Sequence, residues 1–179
     1  ADILDVPSLE DAFKNVTHVY HCAAFVSFEP NKYRTLRKTN IEGTANIVNF
    51  CISNHIEKLC YVSSIATLGN EINNGFIDEA SIWNSEEDHS DYAITKYGAE
   101  MEVWRAWQEG LNVIIVNPGL IFGYGFWAQG SGKVFKVVNR GQYFYTKGGC
   151  GVIAVEDVAN CMVLLMKSDL SGEQYTLVA

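Results

Sequence analysis

Short apolar runs alternate with stretches of helical periodicity along this chain, and that alternation limits the folds open to it. Val16–Cys22, Leu59–Ser63, Leu111–Asn117, Gly151–Val155 and Gln174–Val178 read as strands. Between them, Leu36, Ile41, Ala45, Val48 and Ile52 recur at helical spacing, which predicts a helix over Tyr33–Ser53. Further helices are expected at Tyr92–Gln108, broken by Gly110, at Lys133–Asn139 and at Glu156–Lys167. The Leu111–Asn117 run is almost wholly apolar, as expected of a strand covered on both faces. The expected fold is therefore α/β: a doubly wound, mostly parallel sheet with helices on both faces. In such sheets ligands bind beyond the carboxyl ends of the strands. The segments after the strands are where chemistry is to be sought. They include the Gly69–Asp91 loop and the Gly119–Gly132 loop, both rich in glycine and polar residues.

Composition narrows the partners. The 179 residues carry a net charge of −8, with 48% hydrophobic and 19% charged residues. That suits one globular domain. The absence of a basic stripe argues against nucleic acid and anionic membranes. Cys22, Cys51, Cys60, Cys150 and Cys161 include no Cys-x-x-Cys pair, so reduced thiols in a cytoplasmic protein are expected. Cys22, Cys51, Cys60 and Cys161 sit in apolar runs and read as core residues. The start at Ala1 is no signal peptide, and no apolar run approaches the roughly 18 residues that span a bilayer. A small-molecule substrate is the expected partner, and a homodimer is compatible with this reading.

Tyr92 and Lys96 stand one helical turn apart on one helix face. A free phenol has a pKa near 10. A nearby ammonium favours the phenolate and brings the group toward acid–base work at neutral pH. Ser63 and Ser64 close an apolar strand, where a hydroxyl can hydrogen-bond a reacting oxygen or simply cap the strand end. Ser, Tyr and Lys following successive strands of a parallel sheet form a far rarer pattern than any of them alone.

Other segments fall into the same order. They are His21-Cys-Ala-Ala24, Asn40-Ile-Glu-Gly43-Thr44, Tyr61-Val-Ser-Ser64, Asn117-Pro-Gly119 and Val155-Glu-Asp-Val-Ala159. Together they resemble the motifs of the extended short-chain dehydrogenases/reductases, in the NAD(P)-dependent epimerase/dehydratase superfamily. The nearest likeness is to dihydroflavonol 4-reductase-like proteins, through Ala23–Phe28, Ser63–Gly69 and Val116–Gly119. The resemblance implies a Rossmann-like fold and NAD or NADP as cofactor. It implies Tyr92 as general acid/base, Lys96 on the nicotinamide ribose and Ser64 on the substrate oxygen. Asn40 would hold the family's structural and proton-relay position. Asp2 and Ile3 would lie near the adenine. Ala23, Ala24, Ser63, Asn117, Pro118 and Gly119 would line the cofactor. Residues 1–118 would form the cofactor-binding and catalytic part of a single domain, and 119–179 partly substrate-side segments.

The family's opening Gly-x-x-Gly-x-x-Gly loop has no counterpart here, so the chain is expected to be a fragment lacking both ends, and the residue that selects NAD or NADP is not seen. Gly123-x-Gly125-x-x-Ala128 follows a proline and aromatic loop rather than a strand and reads as substrate-side. Gly130-Ser-Gly132-Lys133 fails the P-loop spacing. The histidines show no metal-ligand spacing; His21 is the one expected near the site. Trp83, Tyr124, Phe126, Trp127, Tyr143 and Tyr145 are pocket candidates as well as packing residues. The expected reaction is hydride transfer to or from a secondary alcohol or ketone. The rivals are a nucleotide-sugar epimerase with tightly held NAD and a non-catalytic relative that senses NAD(P) or binds a partner. A dehydratase is disfavoured, since Ile65 and Ala66 follow Ser64 where acidic residues are expected.

Overall fold

A computed structural model describes residues 1–69, 76–125, 127, 130–141, 144 and 147–179. In chain order the elements are α1 (Val6–Ala12), β1 (His18–His21), α2 (Tyr33–Leu36), a π-helical segment (Arg37–Glu42), α3 (Gly43–Ser53), β2 (Lys58–Val62) and a 3-10 turn (Ile65–Thr67). They continue as α4 (Asp91–Gln108), β3 (Val113–Pro118), β4 (Leu120–Phe122), α5 (Gly132–Asn139), β5 (Val152–Ala154), α6 (Val155–Lys167) and β6 (Glu173–Leu177). The main sheet runs β1-β2-β3-β6, with every neighbouring pair parallel. Cys60 lies beside Ile114, and Val116 beside Tyr175.

Successive side chains along β2 and β3 enter opposite cores, as strand geometry requires. Leu59, Tyr61, Val113 and Ile115 join Ile47, Val48, Ala99 and Val103 of α3 and α4, with Leu9 and Phe13 from around α1. Cys60, Ile114 and Val116 join Val158, Met162 and Met166 of α6. Each fully buried aliphatic side chain contributes about 1.5–3 kcal/mol, so these two strands have no face on which a polar side chain is cheap. This explains the near-continuous apolar runs and confirms the doubly covered parallel sheet.

Several details depart from expectation. The Tyr33–Ser53 helix is present but carries a π-helical segment that shifts its middle turn. Helix α1 is additional; Val6, Leu9 and Phe13 have the spacing for it, and Pro7 sits in its first turn, where a missing N–H costs nothing. Strand β4, expected as loop, pairs in parallel with β5. Three residues are too few to show a period. Cys51 and Cys60 are buried as expected and Cys161 is half-buried, but Cys22 is exposed, because it lies just past the end of β1. All five thiols are free.

Among the described residues no helix is long and apolar enough to cross a membrane. Residues 76–91 of the long loop are docked: Glu79 receives the Thr176 N–H and the Gln174 amide on the outer edge of β6. Trp83 stacks on His89 and on Tyr97, with ring centroids 3.7 and 4.5 Å away.

Gly119 separates β3 from β4. A Cβ there would stand 2.4 Å from the Gly151 carbonyl oxygen, a backbone atom with no freedom to retreat. Gly119→Ala should therefore cost about 1–3 kcal/mol of stability. Gly148→Ala, where an added Cβ meets nothing within 4 Å, serves as the control. Equal melting temperatures for the two variants would contradict this account.

Candidate active site at the carboxyl ends of the strands

The fold brings Asn40, Ser64, Tyr92 and Lys96 to one end of the sheet. Helix α4 begins where Ser90, in extended backbone, accepts a hydrogen bond from the Ala93 N–H at 3.2 Å, with Asp91 in the positive first turn. That cap sets Tyr92 on the first turn and Lys96 on the next. Ser64 caps the short 3-10 turn after β2 by accepting the Ala66 N–H at 3.2 Å. The Ser64 side chain also acts on the Tyr92 phenol, favouring its ionised form. Phe28 packs on the Tyr92 ring, with centroids 5.5 Å apart.

Lys96 is 2% exposed. Its ammonium donates to the Tyr61 hydroxyl at 2.6 Å and to the Val62 carbonyl at 2.9 Å. It also sits 4.4 Å from the Tyr61 ring centre, a cation–π contact. Burial pulls its pKa down to about 8, while Glu100 and then Cys22 oppose the fall. Tyr92 differs from expectation. Burial pushes its phenol up from the ordinary value, and the Ser64 interaction works against that rise. Desolvation outweighs the expected ammonium effect because Lys96 is turned toward Tyr61 and Val62.

Asn40 lies in the π-helical segment, a distortion that frequently marks functional sites. Its carbonyl accepts the Phe25 N–H at 2.7 Å, and its amide donates to the Phe25 carbonyl at 3.0 Å and to Thr95 at 3.2 Å. It thereby fixes the segment after β1, where Ala23 and Ala24 are exposed. Ile3 packs on Gly43, where a Cβ would meet its side chain at 2.5 Å, and the Ile3 carbonyl accepts from Asn46. Asp2 is exposed and accepts the Leu4 N–H. Ser63 and Asn117 are turned inward, and Pro118 is buried beside them, with Gly119 half-buried.

What the sequence reading missed is Glu100. It lies one turn beyond Lys96 on the same face of α4 and is 4% exposed. The Ser63 hydroxyl and the Asn117 amide (3.1 Å) donate to it, and the Thr67 hydroxyl lies 2.8 Å away. The Tyr92-x-x-x-Lys96-x-x-x-Glu100 spacing was the available signal.

His21 is 3% exposed and pairs with the Thr44 hydroxyl at 2.9 Å. Its ring lies against Tyr61. Phe126, Tyr143 and Tyr145, and also Ala128, lie outside the described residues. Tyr124 and Trp127 meet edge to face, and Trp127 with Phe135, Lys136 and Asn139 lines a cavity of about 520 Å³. A second cavity, about 580 Å³, is lined by His18, Lys58 and Asn112 at the amino ends of the strands, away from Ser64 and Tyr92. No cluster of candidate metal ligands is present among the described residues.

His21 generates a pH prediction. Burial, then Lys96, lowers its pKa from 6.5 to about 4. The unfolded chain therefore binds this proton first as pH falls, and stability is lost between about pH 6.5 and 4, by something on the order of 3 kcal/mol. Denaturant unfolding of His21→Gln should show a flatter acid limb across that window. An unchanged limb would contradict the assignment.

A family model described as male sterility protein, an NAD-binding domain, matches residues 4–162. The chain is 29% identical to sterol demethylase protein B of Methylococcus capsulatus over 177 residues, covering 97% of this chain and 53% of that protein. It is 30% identical to a putative dihydroflavonol 4-reductase of Synechocystis, covering 79% of this chain and 42% of that protein. The chain thus spans about half the length of these relatives. The UDP-glucose 4-epimerase of Thermus thermophilus, crystallised with NAD, superposes over the whole of this chain and 62% of its own with a TM-score of 0.82 at 24% identity, which establishes the shared fold. The chain belongs to the male sterility protein family of NAD-binding domains, among the extended short-chain dehydrogenases/reductases.

Proposed function

We propose that this chain carries the catalytic part of an NAD(P)-dependent oxidoreductase that moves a hydride between nicotinamide and the carbon of a secondary alcohol or ketone. The observation that carries the reading is the convergence of Tyr92, Ser64 and Lys96 beyond the carboxyl ends of β1 and β2, on elements that rest on two packed cores. The donor set suits a nicotinamide nucleotide. Ala23 and Ala24 are exposed and stop at Cβ, so a flat ligand would meet backbone there. An ammonium carries three N–H donors, and Tyr61 and Val62 take two, which leaves one for a ribose hydroxyl. NAD or NADP, when bound, supplies the hydride donor or acceptor.

The chain's own residues handle the proton. Burial keeps the Tyr92 phenol protonated at neutral pH, so it is set to donate to a carbonyl oxygen as negative charge develops there. The Ser64 hydroxyl, beside the phenol, donates a second hydrogen bond to the same oxygen and stabilises the developing oxyanion. In the reverse direction the same phenol position receives the alcohol's proton. Asn40 acts by holding the Phe25 backbone, and with it the exposed Ala23–Ala24 floor. We place the reaction on a small-molecule substrate in the cytoplasm, with a homodimer as the assembly compatible with it.

In the active protein Tyr92→Phe should lower kcat by about a hundredfold or more while leaving cofactor affinity within a few-fold of wild type. The assay is NAD(P)H absorbance against a panel of ketones and secondary alcohols. Wild-type turnover by the variant would defeat the reading. Substrate inversion without net NAD(P)H change would favour an epimerase.

A further inference from the structure

A buried carboxylate that the proposed chemistry does not use lies beneath the site. Glu100 takes donors from the end of β2 (Ser63), from the turn that follows (Thr67) and from the end of β3 (Asn117), while the Trp104 indole N–H reaches its other oxygen at 3.4 Å. All of these partners offer hydrogens, as an anion requires. The same amide of Asn117 reaches the Ser64 carbonyl at 3.2 Å, and the Thr67 hydroxyl lies 2.8 Å from that carbonyl as well as from the carboxylate, with one hydrogen to share between them. One carboxylate thus fixes the backbone from which Ser64 projects. It also stands one helical turn from Lys96, with both groups out of water and no ion pair formed between them. Across such an interior, attraction between charges is poorly screened.

We propose that Glu100 is a positioning residue for the Ser64/Tyr92/Lys96 centre, tying the ends of β2 and β3 to α4 and serving as the fixed counter-charge of Lys96. The proposal rests on the reading of that centre given above. The groups that face Lys96 are the Tyr61 hydroxyl and Val62 carbonyl from β2, the His21 imidazole from β1, the Cys22 thiol just after it, and Tyr92 one turn earlier on α4. None of these is a carboxylate. Glu100 is the leading influence that holds the ammonium protonated against its burial, with Cys22 second. Deleting that charge moves the Lys96 titration toward acid, so the cation is lost at a pH where the wild type still keeps it.

The test follows the Lys96 side chain by NMR across pH in protein carrying isotope-labelled lysine, and kcat across the same range. Glu100→Gln should shift the Lys96 midpoint to lower pH by about a tenfold change in its protonation constant. The alkaline limb of kcat should move with it. Glu100→Asp keeps the charge and should restore most of the midpoint. An unmoved midpoint in folded Glu100→Gln, or equal shifts in both variants, overturns the proposal. Should Glu100→Gln fail to fold, Thr67→Val loosens the carboxylate without removing its charge. It should lower kcat several-fold with the Lys96 midpoint retained, and wild-type kcat would overturn the positioning role. The NMR midpoint needs no turnover, so a failed catalytic reading, seen in Tyr92→Phe, stays separate from a failed role for Glu100.

Discussion

Burying one ammonium sets much of the arrangement around it. Lys96 sits in mid-helix at 2% exposure, and a charge removed from water costs several kcal/mol unless it is given partners. It finds them across the helix–sheet interface, in the Tyr61 hydroxyl and the Val62 carbonyl. Meeting both requires α4 to cross β2 where the strand ends. Tyr61, buried by the same contact, lies against the His21 ring, and His21 pairs with the Thr44 hydroxyl. A line of contacts between polar side chains therefore runs from α4 through β2 and β1 to α3 inside an otherwise apolar layer. It holds in register the elements that present Ala23, Ser64 and Tyr92.

The strands were legible because β2 and β3 are covered on both faces, which leaves no polar position to interrupt the apolar run. Helix α4 was legible because Ser90 caps it and Gly110, at φ 98°, ends it. Elements held by contacts distant in sequence were not. Strand β4 exists because Gly119 lets its backbone approach Gly151. The π-helical segment around Asn40 serves a hydrogen-bond pattern with Phe25, fifteen residues earlier, that no local periodicity encodes.

The candidate site shows the same division. Residue types and order pointed to Ser64, Tyr92 and Lys96. Electrostatics did not follow from spacing, because burial outweighs proximity: the Tyr92 phenol is raised rather than lowered. Ser63 and Asn117 donate to a carboxylate that spacing alone left unnoticed. Polar side chains at the ends of buried strands have two directions open to them, and only the packed structure decides between ligand and interior.

In the proposed reaction Tyr92 and Lys96 are the groups that meet the reacting end of a nicotinamide nucleotide. A crystal structure of the protein soaked with oxidised NAD or NADP tests this most directly. The expected result is a nicotinamide ribose hydroxyl within about 3 Å of the Lys96 ammonium, with nicotinamide C4 facing the space between the Tyr92 phenol and the Ser64 hydroxyl. A cofactor bound with its nicotinamide ring directed away from Tyr92, and Lys96 still committed to Tyr61 and Val62 alone, would contradict it.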